Sequence, residues 1–477
     1  MLFNNPFFFL FLIAVYVLYW AVPHRAQNVL LLVASYVFYA CWDWRFLGLL
    51  FGVSAVAYLC GLALERINDV SKRRFILLAG LVLNLGCLGV FKYYNFFADS
   101  LASLIASAGL GAPDWTLQIV LPVGISFFVF QAVSYVFDVY RRDIAATRHP
   151  VEFMTYIAFF PQLVAGPIER AKHMLPQFAA PRHFDVARAT EGAGFIIWGL
   201  FKKAVIADRM ALYVDMAFVD VGASSGLSLL LATYCFAIQI YCDFSGYSDI
   251  ALGCGRLLGL DLTQNFRHPY FSRSPGEFWS RWHVTLSTWF RDYVYIPLGG
   301  NRCNATRYTF NILAVFSISG LWHGANWTYV IWGFLNGVLI LAFRWMEPSR
   351  AARGAVPGGD GILPRFGSLW RMVLTFHLIL LTWIFFRADS IADAWIALGK
   401  VVTFPVGMSL VPFETYYLPM AFAGVFVLTE WLTRSRFCVL SPRVPRQLTI
   451  ITARAAVVCV IVWFGHFAHV PFIYFQF

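Results

Sequence analysis

Charged side chains are scarce in this chain of 477 residues: Asp, Glu, Lys and Arg make up 13% of it, whereas hydrophobic residues make up 60%. An average soluble domain is roughly 25% charged and 45–50% apolar. The composition therefore excludes an ordinary water-soluble domain and predicts an integral membrane protein. At about 20 apolar residues for each crossing, the chain has room for on the order of ten to twelve membrane helices.

Several motifs of catalysis and metal binding are also missing. The chain contains no GxSxG, GxxxxGK[ST] or HExxH sequence, which argues against a serine-hydrolase elbow, a phosphate-binding loop and a zinc protease. Its nine cysteines are scattered without a CxxC pair, and we interpret them as small buried hydrophobic residues. We therefore expect no metal site and no bound cofactor.

Three further features are absent. No internal repeat of the kind found in many transporters is visible. The formal charge of +11 does not indicate nucleic acid binding, because the basic residues lie in short segments between apolar runs and form no basic domain. The first 20 residues lack a basic n-region and a cleavage site, which predicts a retained first helix.

What the chain does contain is a series of apolar runs separated by loops that are alternately basic. The segments PHRAQ (23–27), ERINDVSKRR (65–74) and DVYRRDIAATRH (138–149) carry the excess Lys and Arg. Because such loops stay cytoplasmic, we predict a multi-pass membrane protein, in contact with lipids, with both termini outside. The predicted spans are residues 6–22, 27–41, 46–64, 75–93, 117–138, 227–242, 308–322, 326–345, 370–386, 416–433 and 452–470.

Three stretches do not fit a simple crossing. Residues 152–170 are apolar but short and contain two prolines, which favours a re-entrant or interfacial segment. Residues 193–216 are apolar but are interrupted by four charged residues, which predicts a helix that is tilted or packed against protein. The four are Lys202, Lys203, Asp208 and Arg209. Residues 267–307 hold six arginines among many aromatic residues, and we expect a cytoplasmic-side layer that dips into the interface.

The motif GLWHGANW (320–327) places a histidine between two apolar runs. The preceding run, 308–322, is about 22 Å long as a helix and starts at the basic side, so we expect His323 within the membrane thickness at a glycine-flanked break. An ionisable group there is costly unless it is buried in protein or lines a wet cavity, which makes it a candidate functional residue. The alternative is a neutral imidazole that bonds a carbonyl freed at the helix break.

A second histidine lies in FWSRWHVTLSTWFRDY, with charged and aromatic neighbours on both sides. His283 could meet a phosphate-bearing ligand from the cytoplasm, or it could be a structural residue bonded to backbone. Two histidines without a third ligand at metal-like spacing do not form a zinc site. Base chemistry suits them better, because a neutral histidine can accept a proton from a hydroxyl. We interpret His268, in HPYF, as structural.

Other polar residues leave two interpretations open. The motif CDFSGYSDIALG (242–253) brings Asp243, Tyr247 and Asp249 near one another, either to line a cavity or to satisfy helix ends. The arginines of the aromatic layer are either cytoplasmic anchors or contacts for a nucleotide phosphate; they are Arg267, Arg273, Arg281 and Arg291.

The motifs taken together resemble the membrane-bound O-acyltransferase (MBOAT) family, and within it the alginate O-acetyltransferase branch. The resemblance rests on FWSRWHVTLSTWFRDYVYIPLGGNR followed by SGLWHGANWTYVIWG, and on PQLVAGPIER, CDFSGYSDIALG and QNFRHPYFSRSPGEFWSRWH. It implies an all-α polytopic bundle with a central funnel, about 11–13 membrane helices and additional re-entrant or interfacial helices. The implied single domain has N-terminal spans (1–150), re-entrant and cytoplasmic-side funnel elements (151–307), a catalytic hairpin (308–346) and C-terminal spans (347–477).

The resemblance also implies roles for individual residues. His323 matches the catalytic histidine and His283 the second histidine of the bacterial branch. The implied donor is cytoplasmic acetyl-CoA, and the implied outcome is O-acetylation of an extracytoplasmic polysaccharide through a periplasmic or extracellular partner transferase. Further candidate contacts to donor or substrate are Trp282, Arg281, Arg291, Asp292, Trp322 and Asn326.

The segment FIYFQF near the C-terminus resembles the ending of a small partner protein in the teichoic acid D-alanylation system. That likeness predicts that Tyr474 accepts the acyl group; the alternative is an interfacial anchor, a common role of tyrosine.

Two other functions remain open at this stage. One is a D-alanyl or other acyl transferase that uses a carrier-protein donor, and the other is a polytopic proton or sugar transporter. The acceptor polymer is also open among alginate, cellulose, peptidoglycan and other glycans.

Overall fold

A computed structural model of the chain describes residues 3, 5–111, 115–346, 366–403, 417–434, 439–440, 447–467 and 472–473. These residues form helices joined by turns, and no β-strand is present among them. They group into two compact units. The first unit consists of Met1–Gly192 with Cys254–Thr263, and the second consists of Ala193–Gly253 with Gln264–Phe477.

Two helices in the first part of the chain start at residues whose side chains cap them. Asn5 accepts a hydrogen bond from the Phe7 amide at the start of the first helix, and Asp69 does the same for Lys72. The first ten α-helices are α1 (Pro6–Ala21), α2 (His24–Asp43), α3 (Leu47–Arg66), α4 (Val70–Leu88), α5 (Tyr94–Ser107), α6 (Ile125–Arg141), α7 (Pro150–Ala158), α8 (Phe160–Leu163), α9 (Ala171–Ala179) and α10 (Val186–Leu200).

The remaining helices include the two that carry the GLWHGANW motif at their junction. They are α11 (Asp208–Phe218), α12 (Gly226–Leu257), α13 (Pro275–Arg281), α14 (Val284–Phe290), α15 (Ala305–His323), α16 (Trp327–Met346), α17 (Phe366–Arg387), α18 (Ile391–Thr403), α19 (Tyr417–Thr433) and α20 (Gln447–Phe464). Segments of π-helix occupy Gly89–Tyr93, Phe201–Ala207 and Arg291–Tyr295.

Several helices are apolar enough to cross a membrane. Within the described residues, five helical stretches satisfy both length and composition, and the first two of them each contain two consecutive α-helices. The five are His24–Arg66, Val70–Ser107, Gly226–Leu257, Trp327–Met346 and Gly367–Arg387. Shorter apolar helices cover Pro6–Ala21, Tyr417–Thr433 and Ile450–Phe464. The predicted all-α polytopic membrane fold is therefore confirmed.

Three boundaries differ from the prediction. The span expected at 117–138 starts as a helix only at Ile125, after Gly124, which has a φ of 76°. The loop expected at 95–116 contains α5, because its apolar residues continue the helical pattern past the π-helical segment. The span expected to end at residue 242 continues as α12 to Leu257, since its polar residues are paired with lysines from another part of the chain.

The proline-containing stretch 152–170 forms no single helix. It contains the short helices α7 and α8, followed by turns. Gln162 donates to the Tyr156 carbonyl (2.6 Å), and the Tyr156 hydroxyl donates to the Glu169 carbonyl (2.9 Å). These side chains satisfy backbone groups that the broken helix leaves unpaired, as required of irregular backbone in a buried setting.

Candidate active site

His323 is the last residue of α15, directly before the break at Gly324. Only 3% of the residue is exposed. Its ring contacts three aromatic rings, with centroid separations of 5.0 Å to Trp322, 5.0 Å to Trp332 and 5.5 Å to Phe386. The structure thus holds this imidazole in an aromatic enclosure at a helix C-terminus, where the helix dipole favours a positive charge.

Two glycines fix the hairpin that carries this histidine. A Cβ at Gly320 would collide with the Tyr329 carbonyl, and a Cβ at Gly333 would collide with the Phe316 carbonyl. Helices α15 and α16 therefore meet backbone to backbone, a close approach that small residues permit. Because the approach leaves no room for adjustment, it determines where His323 stands relative to Trp332.

His283 occupies a different kind of position, between α13 and α14. Its φ of 42° lies in the left-handed region, which is strained for a residue with a side chain. Asn265 holds the following turn: its carbonyl accepts from the Val284 amide (2.9 Å), and its Oδ1 accepts from the Thr285 hydroxyl (2.6 Å) and more weakly from the Thr285 amide (3.3 Å). Backbone strain retained at a buried histidine is typical of functional sites.

Burial also sets the protonation of His283. The residue is 1% exposed, and this desolvation lowers the pKa of the imidazole to about 3. Its ring meets Phe244 edge-on at 4.6 Å and lies 6.5 Å from Phe266. At physiological pH this histidine is therefore neutral, with one nitrogen as a donor and the other as an acceptor.

Trp322 connects the two histidines. Its ring centroid lies 5.9 Å from that of His283 and 5.0 Å from that of His323. Trp282 belongs to the same aromatic group, because it packs on Phe266 at 5.1 Å and on Trp383 at 5.2 Å. The structure thus brings His283, Trp322 and His323 together, with Trp282 one ring further away.

The charged residues predicted as substrate contacts are placed elsewhere. Arg281 pairs with Glu277 at 2.5 Å, one turn earlier on the same short helix. Arg291 and Asp292 pair with each other at 2.8 Å at the start of a π-helical segment, where the arginine side chain is 60% exposed. Their role as contacts of the acyl donor stays a prediction.

Asn326 lies on the wall of a cavity of about 520 Å³ beside the hairpin break. Its Oδ1 accepts from the Thr328 amide (3.0 Å) and caps α16, while its Nδ2 donates to the Asp389 carbonyl (3.2 Å). The wall also contains Phe236 and Gln239 of α12 and Arg387 of α17. Ala325 lines it too, so the cavity wall begins two residues along the chain from His323.

Gln239 is a site residue that the sequence did not indicate. It is 8% exposed, and its Oε1 has no hydrogen-bond partner in the described part of the protein. A buried, unsatisfied acceptor on a cavity wall is costly unless a bound molecule or water satisfies it. A glutamine within an apolar helix carries no motif, so only the cavity reveals it.

His268, which we interpreted as structural, is bonded to a buried carboxylate. Its Nδ1 lies 2.6 Å from Glu430 Oε2, and the Tyr241 hydroxyl donates to the same oxygen at 2.7 Å. Tyr241 packs on Trp282 at 5.9 Å. The buried Glu430, on α19, was not predicted, because its partner lies 162 residues away in the sequence.

The predicted acyl acceptor, Tyr474, lies outside the described residues. The two residues before it are described and buried: Ile473 lines the cavity that contains Asn326, and the Phe472 ring lies 5.9 Å from Phe244. Phe244 in turn contacts His283. The chain therefore approaches the histidine region directly before Tyr474.

Comparison with known proteins adds the following similarities. The sequence profile of the membrane-bound O-acyltransferase family matches residues 125–386, a range that contains both histidines. The chain is 41% identical over 394 residues to the probable alginate O-acetylase AlgI of Azotobacter vinelandii, covering 82% of this chain and 76% of the relative. It is 33% identical to the peptidoglycan O-acetyltransferase of Helicobacter pylori, covering 83% and 78%. It is 28% identical to the teichoic acid D-alanyltransferase of Streptococcus thermophilus, covering 57% and 69%.

Proposed function

Because the chain belongs to the membrane-bound O-acyltransferase family, we propose that this enzyme takes acetyl groups from cytoplasmic acetyl-CoA for O-acetylation of an extracytoplasmic polysaccharide. Its relatives support this choice of acyl group and acceptor. Two of them are named for O-acetylation, of alginate and of peptidoglycan, and they match more than four fifths of the chain. The D-alanyltransferase is less similar and matches a smaller part. Family membership also favours an acyltransferase over the transporter considered above.

The observation that carries the mechanism is the position of His323 at the end of α15, two residues before Ala325 on the wall of the cavity that Asn326 also lines. In the proposed reaction an acceptor hydroxyl oxygen attacks the thioester carbonyl carbon while His323 takes the hydroxyl proton. The carbon–sulfur bond then breaks, and the CoA thiolate recovers that proton from the imidazolium. The helix C-terminus stabilises the imidazolium while it exists.

His283 is the better candidate for stabilising the oxyanion formed in this attack. Its neutral imidazole can donate one hydrogen bond, and burial strengthens such a bond. Asn326 is less available, because its oxygen caps α16 and its nitrogen already donates to the Asp389 carbonyl. Trp322 lies against both histidines and would limit where the thioester can enter.

Entry of substrates requires movement of the aromatic rings. With 3% of His323 exposed, no hydroxyl can reach the imidazole until Trp322, Trp332 or Phe386 shifts. Exclusion of water by these rings would protect the thioester from hydrolysis before the acceptor arrives.

The donor would approach from the side of the basic loops. There the exposed guanidinium of Arg291 could meet a phosphate of CoA, while Arg281 is held by Glu277 and Asp292 by Arg291. Trp282 packs on Trp383 and Phe266, so it would support the rings around the donor and would not touch the donor itself. Acetyl-CoA acts as a substrate in this scheme, and no resident cofactor is needed.

The acceptor side involves partners outside this chain. We place the enzyme in the bacterial inner membrane with both termini outside, on the basis of its alternately basic loops. Tyr474 would receive the acetyl group and pass it to a periplasmic or extracellular transferase, which modifies the polysaccharide. Ile473 on the cavity wall supports this role, because it brings the chain to the cavity one residue earlier.

The experiment that tests the proposal measures free CoA released from acetyl-CoA by the purified protein. We expect release that depends on the enzyme and falls to background in His323→Asn. An aminoacyl carrier protein is supplied in a parallel reaction. Activity with the carrier and none with acetyl-CoA would overturn the acetyl assignment in favour of the D-alanyl alternative.

A further inference from the structure

A group of buried charges lies in the second unit, outside the aromatic enclosure of the histidines. Lys202 and Lys203 lie in the π-helical segment Phe201–Ala207, and their partners lie on α11 and α12. We call this group the ion cluster; its members are Lys202, Lys203, Asp208, Asp243 and Asp249. The pairs are Lys202–Asp249 at 2.7 Å, Lys203–Asp208 at 2.7 Å and Lys203–Asp243 at 2.6 Å.

Stability alone is a weak reason for such a cluster. Desolvation of buried ions offsets much of their mutual attraction, and apolar replacements are often as stable. Two interpretations of the acidic residues in CDFSGYSDIALG were open from the sequence. They could line a cavity, or they could bond the free backbone groups at helix ends. The contacts favour a third one, because Asp243 has a second partner beyond its lysine.

That partner is the backbone near the C-terminus. The two oxygens of Asp243 divide their contacts: Oδ1 pairs with Lys203, and Oδ2 accepts from the Ile473 amide at 2.7 Å. The preceding Phe472 packs against the Tyr247 ring at 5.1 Å and lies 6.0 Å from the Lys203 ammonium. Both residues of this 472–473 segment are buried.

Two further contacts attach the chain just before the 472–473 segment. The Arg209 guanidinium donates to the Phe464 carbonyl at 2.6 Å, and the His466 amide donates to the Ala204 carbonyl at 2.8 Å. Ala204 belongs to the same π-helical segment as Lys203, and Arg209 lies on α11, which follows that segment directly. The end of α20 and a residue just after it are therefore bound close to Lys203 in the chain.

We propose that Asp243, oriented by Lys203, is a positioning residue that holds the 472–473 segment against the cavity that Asn326 lines. Consecutive Cα atoms are about 3.8 Å apart, so a fixed Ile473 restricts the reach of residue 474. The consequence for catalysis rests on the proposed function, in which Tyr474 accepts the acetyl group. The attachment of the segment itself does not depend on it.

A matched pair of variants tests this role. Asp243→Ala removes the acceptor of the Ile473 amide, whereas Asp249→Ala removes a carboxylate from the same helix and the same cluster, but one whose ion pair is with Lys202. Asp243→Asn serves as the conservative variant, because it keeps an oxygen that can accept from Ile473 while losing the charge.

The first measurement is independent of catalysis. Ile473→Cys is introduced into a chain whose nine native cysteines have been replaced, and its alkylation by N-ethylmaleimide is timed without substrate. We expect Asp243→Ala to accelerate alkylation about tenfold, Asp249→Ala to leave the rate unchanged, and Asp243→Asn to give an intermediate rate, because a hydrogen bond to a charged group contributes most. Equal rates in the two alanine variants would overturn the proposal.

The second measurement concerns turnover in the same variants without the cysteine. Asp243→Ala should lower kcat for acetyl transfer about tenfold and leave the KM for acetyl-CoA unchanged, with partial recovery in Asp243→Asn. A matching loss in Asp249→Ala would mean that the cluster acts only as a structural unit. If the wild-type protein releases no CoA, the proposed function fails, and the alkylation rates still decide whether Asp243 holds the segment.

Discussion

The two candidate histidines are held by opposite means. His323 ends a regular helix in the hairpin of α15 and α16, where two glycines bring the backbones into contact. His283 lies among short helices with a strained backbone, and the two residues after it donate hydrogen bonds to Asn265. The first is positioned by close packing and the second by a specific side chain.

The difference has a consequence for mutation. Packing at Gly320 cannot tolerate one added methyl group, because the atom it meets is backbone. The turn at His283 should instead tolerate a change in side-chain volume. It should lose its conformation when the Asn265 oxygen that accepts from Thr285 is removed. Changes at these two positions should therefore differ in the size of their effect on turnover and stability, and the largest effect should come from His323 itself.

The largest effect is expected for the base. His323→Asn removes the group that takes the acceptor proton, and general base catalysis contributes about 10²–10⁴-fold, so CoA release should fall by about 10³-fold. The control is His377→Asn on α17, an exposed histidine that bonds the Tyr234 hydroxyl. Equal losses in both variants would contradict a specific role for His323.

The next effect tests the backbone contact in the hairpin. Gly320→Ala forces α15 away from the Tyr329 carbonyl, and a displacement of about 1 Å at a reacting group can cost about 100-fold in rate. Gly424→Ala on α19 is the control, because a Cβ there meets nothing within 4 Å. Turnover and the thermal midpoint are measured for both. Wild-type turnover in Gly320→Ala would show that packing does not position His323.

A smaller effect is expected at the turn of His283. Asn265→Ala leaves the Thr285 amide and hydroxyl without their buried acceptor, which costs about 1–3 kcal/mol and should lower turnover about tenfold. Asn304→Ala removes the same kind of bond, to the Arg307 amide, from the exposed start of α15. It should cost about 1 kcal/mol in stability and leave turnover unchanged. A larger loss of turnover in Asn304→Ala than in Asn265→Ala would contradict the role of Asn265 at the His283 turn.

The smallest effect is a dependence of stability on pH. In the unfolded chain a histidine has a pKa near 6.5, whereas burial lowers the pKa of His283 to about 3 in the folded protein. Between these values the unfolded state binds more protons, so stability falls as the pH falls. Between pH 7 and pH 5 the expected loss is about 2 kcal/mol.

The variant His283→Gln removes that contribution. Its thermal midpoint should decrease less than that of the wild type when the pH is lowered from 7 to 5. His377→Gln, at an exposed position, should retain the wild-type decrease. An identical decrease in all three proteins would contradict the buried, neutral state of His283.

The sequence predicted the features that depend on local pattern. The apolar run 326–345 corresponds to α16 within one residue at each end, and the run 308–322 to most of α15. Hydrophobic runs of this length leave few alternatives to a helix in a membrane. The glycines that flank His323 likewise predicted a break between two helices.

Features that depend on distant partners were missed. Helix α12 continues past Asp243 and Asp249 because Lys202 and Lys203 neutralise them. In the sequence alone, two aspartates in an apolar run indicate the end of a membrane helix, since their partners are not visible. Glu430 was overlooked for the same reason, since it bonds His268 from another part of the sequence.

The grouping of the site was predicted from family resemblance and not from spacing. Nothing in the 39 residues between His283 and His323 indicates that Trp322 would contact both rings. The strain at His283 was also not visible in the sequence, because its left-handed backbone is imposed by Asn265.

The central claim is that one buried imidazole connects a donor on the cytoplasmic face with an acceptor beyond the membrane. Sealed inside-out vesicles from cells that make the protein test it directly, with radiolabelled acetyl-CoA added outside and the acetyl label measured on polysaccharide within the lumen. We predict free CoA outside and label inside with the wild type, and neither with His323→Asn. Label that reaches the lumen at the wild-type rate in His323→Asn, or label that stays outside while CoA is released, would contradict the account.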